Sequence, residues 1–169
     1  MKKLIALILS VLMLVCIFSG CNDDGEKNDE TPTKENESSS IDFSITYRST
    51  KIELGADAEA VLNSLGTPKS SEAQGDCSGK GSLTKYVFDS VELYVLDDGK
   101  KKTVDQITLL DDSVVTPKGI TIGSARADVN KAYGEKSGDT SVTYKSGEKH
   151  LIIGFRDGYV KSIDLRVIY

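Results

Sequence analysis

One short pattern occurs twice in this chain. Lys51 to Pro68 reads KIELGADAEAVLNSLGTP, and Gly119 to Glu135 reads GITIGSARADVNKAYGE. At one fixed offset Ile52 aligns with Ile120, Leu54 with Ile122, Gly55 with Gly123, Val61 with Val129, Leu65 with Tyr133 and Gly66 with Gly134. Four apolar positions and two glycines thus keep their spacing, which marks a duplicated supersecondary unit. A solenoid is not implied, because stacked arrays need at least about three copies to bury their faces.

Each copy predicts a short extended piece, a glycine turn and a helix. Ala58, Val61, Leu62 and Leu65 in the first, and Ala125, Val129, Ala132 and Tyr133 in the second, fall at helical spacing. Ser124 is the expected N-cap of the second helix; Ala56 cannot cap, which leaves Asp57 for the first. Gly66 and Gly134 sit where a left-handed C-cap glycine belongs, and Pro68 blocks continuation. Helices this short are marginal alone and must dock on a sheet.

Strands are expected over 84–88, 91–96 and 104–110 after the first helix, and over 141–145, 151–156 and 160–168 after the second. Asp157-Gly158 is a tight-hairpin signal. Ile41, Phe43, Ile45 and Tyr47 alternate and add a strand. The expected fold is α+β: two tandem helix-plus-three-strand repeats, about 50–112 and 118–169, forming an antiparallel sheet with helices on one face. One domain, 41–169, holds both.

The N-terminal segment does not belong to that fold. Lys2 and Lys3 precede an apolar run from Leu4 to Phe18, interrupted only by Ser10. The run is short for a membrane span, which takes about 20 apolar residues, and suits a signal peptide over residues 1–20. Ile17-Phe18-Ser19-Gly20-Cys21 resembles the lipobox of bacterial lipoproteins. The resemblance implies that Cys21 carries a diacylglycerol thioether and becomes the mature N-terminus. The expected location is the extracytoplasmic face of the cell membrane, with the bilayer held through that anchor.

Residues 22–40 contain seven acids and two lysines, with no aromatic residue and no apolar periodicity. Such composition cannot offset the entropy of ordering, so a disordered acidic linker is expected after the lipidated cysteine. The whole chain has a net charge of −5, and the linker alone accounts for −5; with Lys2 and Lys3 set aside, residues 41–169 carry −2. A nearly neutral domain has no basic footprint for nucleic acid. Cys16 leaves with the signal and Cys21 is lipidated, so Cys77 is the single thiol and no internal disulfide forms.

The repeat pattern resembles the β-lactamase-inhibitor-protein-like fold, shared with the small lipoprotein of the outer-membrane barrel assembly machinery. Ile52-Glu53-Leu54-Gly55 with Val61 and Gly66, and Ile120-Thr121-Ile122-Gly123 with Val129 and Gly134, match its I-x-x-G…V…G signature. Asp111 to Ile120, DDSVVTPKGI, is similar to a segment of Gram-positive lipoproteins that carry a cysteine in the first repeat. The resemblance covers 50–169 and implies binding rather than catalysis. The inhibitor's disulfides are missing here, so inhibition of a β-lactamase is not carried over.

Few residues suggest chemistry. Cys77 lies between Asp76, which raises a thiol pKa, and Lys80, which lowers it, so no activation follows. A small packed side chain is the plainer reading. Gly79-Lys80-Gly81 lacks the spacing and hydroxyl of a phosphate loop. His150, the one histidine, could pair with Cys77, but a solvated turn residue before Leu151 explains it as well. Asp97-Asp98 and Asp111-Asp112 lack calcium-loop spacing. No metal or cofactor is expected.

The sheet face opposite the helices says more. Period-2 alternation leaves Glu92, Tyr94, Gln106, Thr108, Ile152, Asp164, Arg166 and Ile168 outside the core. Tyr and Arg beside aliphatics are an interface-like mixture, although a solvated face also carries single apolar residues. Tyr94, Thr108, Ile152, Asp164 and Arg166 are the candidate binding residues. The function expected is that of a membrane-anchored, non-catalytic lipoprotein gripping an envelope protein. The alternatives are a thiol-dependent envelope enzyme using Cys77 and a small-ligand receptor.

Overall fold

The computed structural model describes residues 41–75 and 79–169. The signal, Cys21, the linker and Cys77 lie outside the described residues.

The elements run β1 (Ser44–Tyr47), β2 (Thr50–Glu53), α1 (Ala58–Leu65), β3 (Ser70–Gln74), β4 (Ser82–Val87), β5 (Val91–Asp97), β6 (Lys102–Leu109), α2 (Arg126–Tyr133), β7 (Ser141–Ser146), β8 (Lys149–Arg156) and β9 (Tyr159–Val167). β3 to β9 form a seven-stranded antiparallel sheet of order β3-β4-β5-β6-β9-β8-β7. β1 and β2 pair only with each other. The fold is α+β with an antiparallel sheet. Among the described residues no helix is long and apolar enough to cross a membrane.

Alternation builds the core. Val91, Leu93 and Val95, Ile107 and Leu109, Leu151 and Ile153, and Ile163 and Leu165 are buried on one sheet face. They share a cluster with Ala58, Val61 and Leu65 of α1, Val129 of α2, and Phe43 and Ile45 of the N-terminal hairpin. Two bulges interrupt the period. Tyr94 pairs with Gln106 but Val95 with Val104, which leaves Asp105 extra; Gly154 pairs with Ser162 but Phe155 with Val160, which leaves Lys161 extra. Each extra residue restores the inward side chain that strict alternation would have lost.

Matching backbone bonds fasten both glycine turns to the sheet. Gly55 N–H donates to Val104 O and Val104 N–H to Ala56 O; Gly123 N–H donates to Val160 O and Val160 N–H to Ser124 O. Both helices dock beside a strand that begins at the end of a hairpin.

Several local expectations need correction. Ser124 does not cap α2: its Oγ accepts from Thr121 N–H, 3.0 Å away, and Ala125 occupies the cap with no side-chain bond. Asp57 does cap α1, accepting from Ala60 N–H at 2.8 Å. Residues 120–122 form no strand; the preceding loop closes through Thr116, whose Oγ1 accepts from Ile120 N–H at 3.1 Å. The alternating segment before Tyr47 does form β1, but outside the main sheet. β3 was not expected, because SSEAQ is exposed along its length apart from Gln74 and carries no apolar alternation.

Gly66 and Gly134 end their helices with φ of 79° and 86°, as a C-cap glycine should. Their ψ values of −156° and 150° are extended, not left-handed helical. That corner of backbone space is essentially reserved for glycine. A Cβ at either position would meet no atom within 4 Å, so the cost of replacement is conformational rather than steric. Gly66→Ala and Gly134→Ala should each lose about 1–3 kcal/mol, read as a fall of roughly 3–12 °C in Tm. An unchanged Tm in both would refute the assigned backbone.

Candidate functional site

Cross-strand register lays the outer sheet face out in two rows. One runs Lys85, Tyr94, Gln106, Arg166, His150 and Lys145 across β4, β5, β6, β9, β8 and β7. The other runs Val87, Glu92, Thr108, Asp164, Ile152 and Thr143 across the same strands. Tyr94, Thr108, Ile152, Asp164 and Arg166 therefore lie on one surface, and each is half-buried rather than enclosed. Cross-strand neighbours on one face stand about 4.5–5.5 Å apart, so these side chains interact laterally.

The centre of the face is a polar network. Gln106 Nε2 donates to Thr108 Oγ1 at 3.0 Å, and Thr108 Oγ1 donates to Asp164 Oδ1 at 2.7 Å. Arg166 approaches the same carboxylate oxygen at 3.5 Å. Tyr94 donates its hydroxyl proton to Glu92, with 3.3 Å between the oxygens. Loss of solvent, followed by the charge of Glu92, raises the Tyr94 pKa, so this phenol stays a donor through the neutral range. Arg166 Nε is buried and has no hydrogen-bond partner among the described residues. Ile152 adds an apolar step directly across from Asp164.

One residue needs a different account from the one the sequence suggests. β8 begins at Lys149, so His150 is a strand residue on this face, not a turn residue. Lys145, one residue before the end of β7, stands directly across from it. Desolvation, then the nearby Lys145 and Arg166, lowers the His150 pKa. Lys145 falls at the end of the strand expected over 141–145, on the parity of this face, whereas His150 precedes the strand expected from 151 and so reads as a turn residue. Gln106, which donates to Thr108 and stands across from Arg166 in register, is a further member of the network.

A cavity of about 620 Å³ opens at one end of the sheet, lined by Phe43, Glu53, Gly55, Asp105, Lys149 and Tyr169 among others. Tyr169 donates its hydroxyl to Asp105 at 2.8 Å across this region. Among the described residues no group of three or more histidine, cysteine, aspartate or glutamate side chains could hold a metal ion. The outer face presents hydrogen-bond donors and acceptors with one apolar step at Ile152.

Comparison with family models, with curated proteins and with solved structures gave no match.

Proposed function

We propose that the protein is a lipoprotein anchored through Cys21 at the extracytoplasmic face of the cell membrane, where its outer sheet face binds an envelope protein without catalysis. The observation that carries this reading is the polar network of Gln106, Thr108, Asp164 and Arg166, which bridges β6 and β9 over a half-buried surface beside the Tyr94–Glu92 pair of β5. A network drawn from both halves of the chain fixes side chains before a partner arrives. Pre-ordering of this kind lowers the entropy cost of association.

The two halves are read as tandem copies of a helix followed by three strands, β4-β5-β6 and β7-β8-β9. The matching turn bonds of Gly55 with Val104 and of Gly123 with Val160 support that reading, as do the bulges at Asp105 and Lys161. β6 and β9, the last strands of the two copies, pair at the centre of the sheet. Duplication would thereby give one continuous surface rather than two small ones.

A photo-crosslinking residue placed at Tyr94 tests the reading in cells. It should capture one defined partner, and the same probe at Asn63, exposed on α1, should not. Tyr94→Ala with Arg166→Ala should reduce partner recovery at least about thirtyfold, since truncating an aromatic or arginine at a buried interface costs about 2 kcal/mol or more. Melting should change little, because neither side chain belongs to the core. Undiminished recovery from the double variant would refute the assigned face.

A further inference from the structure

We infer that Lys145, His150 and Arg166 form a carboxylate-binding strip that receives an acidic segment of the partner protein, an inference that rests on reading the outer face as the binding surface. Register sets Lys145 opposite His150 and His150 opposite Arg166, so three basic side chains stand side by side over β7, β8 and β9. Like charges directly opposite one another on a sheet are destabilising. Among the described residues, no carboxylate lies within ion-pair distance of Lys145 or His150, and Arg166 has only Asp164 at 3.5 Å. Among the described residues the buried Arg166 Nε also lacks a hydrogen-bond partner, so the guanidinium is incompletely paired.

The adjoining row decides the kind of anion. Asp164 and Glu92 lie one row away, with Asp164 against the guanidinium itself. A polyphosphate or other dense polyanion would meet their repulsion, and the domain's charge of −2 supplies no wider basic field. A protein surface that places carboxylates over the strip and a basic side chain over Glu92 meets both rows. The partner fitted by this pattern is therefore an acidic protein segment with a base beside it.

Proton uptake belongs to the same site. His150 faces Lys145 on β7 and Arg166 on β9, with Asp164 diagonal to it and Glu148 in the preceding turn. Burial and the two cations keep its imidazole below the ordinary histidine value when the strip is empty. An arriving carboxylate favours the imidazolium, so its binding takes up a proton and strengthens as pH falls through the histidine range.

His150 is the single histidine of the 169-residue chain, so isotope-labelled histidine gives one unambiguous NMR titration. The full chain in neutral detergent is titrated with and without an end-blocked peptide that carries two adjacent glutamates followed by a lysine. The peptide should move the His150 midpoint to higher pH and bind about two- to fivefold more tightly near pH 6 than near pH 7.5. Lys145→Ala and Arg166→Ala should each weaken it about two- to fivefold, and Lys100→Ala should not. An unmoved midpoint, or equal weakening by Lys100→Ala, overturns the inference. So does a midpoint that falls when the acids of residues 22–40 are neutralised, because the strip would then be filled by the chain itself. Crosslinking from Tyr94 keeps the outcomes separate: capture there with an unmoved midpoint removes the strip and leaves the binding face, whereas no capture removes the face.

Discussion

Val129→Asp should abolish the cooperative thermal transition of the domain, and Val61→Asp should come close to doing so. Val129 is fully buried and is the one buried residue of α2, with Ala132 and Tyr133 packed half-buried beside it, so it is the centre of that helix's docking. Val61 is 6 % exposed and shares the work in α1 with Ala58 and Leu65. Each change forfeits about 1.5–3 kcal/mol of apolar burial. Each also places a carboxyl among aliphatics with no donor, at a further cost of several kcal/mol. Against a total stability of about 5–15 kcal/mol for an ordinary domain, the sum is most of what is available. Circular dichroism melts of the two variants would decide it. Full tolerance at either position would mean that the helix there is not held by its aligned valine.

That both valines are buried was legible from spacing, because an apolar residue kept at the same distance from a conserved-length glycine turn has one plausible destination. The sheet was legible for a similar reason. Val91-Glu92-Leu93-Tyr94-Val95 alternates cleanly, and the observed burial follows it. Asp157-Gly158 also behaves as its sequence demands, with φ of 53° and 79° in the β8–β9 turn. By contrast, Arg48 and Ser49 adopt φ of 49° and 65° in the β1–β2 turn. No Gly or Asn announces that turn. Contacts from elsewhere hold it: Arg48 stacks on Tyr47, donates to Leu65 O at 3.2 Å and pairs with Asp89.

Edge strand β3 escaped detection because its side chains bury almost nothing; its ladder to β4 is a backbone matter that composition does not encode. The outer face was half legible. Tyr94, Thr108, Ile152, Asp164 and Arg166 follow from strand parity, since a one-residue slip would have turned them inward. Their hydrogen bonds do not follow from parity. Thr108 meets Asp164 across 56 residues of chain, and only the central pairing of β6 with β9 brings them together. His150 was hidden by a turn that proved shorter than its composition suggests.

Cys21→Ala should remove all lipid label from the protein. In cells fed labelled palmitate, the wild type is expected to incorporate it, and the variant to incorporate none. The expectation rests on the positive start, the apolar run and the small residues Ser19 and Gly20 ahead of the cysteine. Cys16 and Cys77 give the internal controls, because neither follows such a pattern; Cys16→Ala and Cys77→Ala should label like the wild type. Label is a better readout than fractionation. The uncleaved run from Leu4 to Phe18 could retain the variant at the membrane even though it is short for a span of about 20 residues. The energetic difference is large: one acyl chain binds a bilayer marginally and reversibly, whereas two chains hold stably at about 0.8 kcal/mol per buried methylene. An anchor of that strength would confine the domain to a thin layer above the bilayer and raise its effective concentration toward partners in the same membrane. The weak contacts expected of a half-buried, mixed-charge face would then suffice for capture. Equal labelling of wild type and Cys21→Ala would remove the anchor, and with it the reason to expect function from a face of such modest affinity.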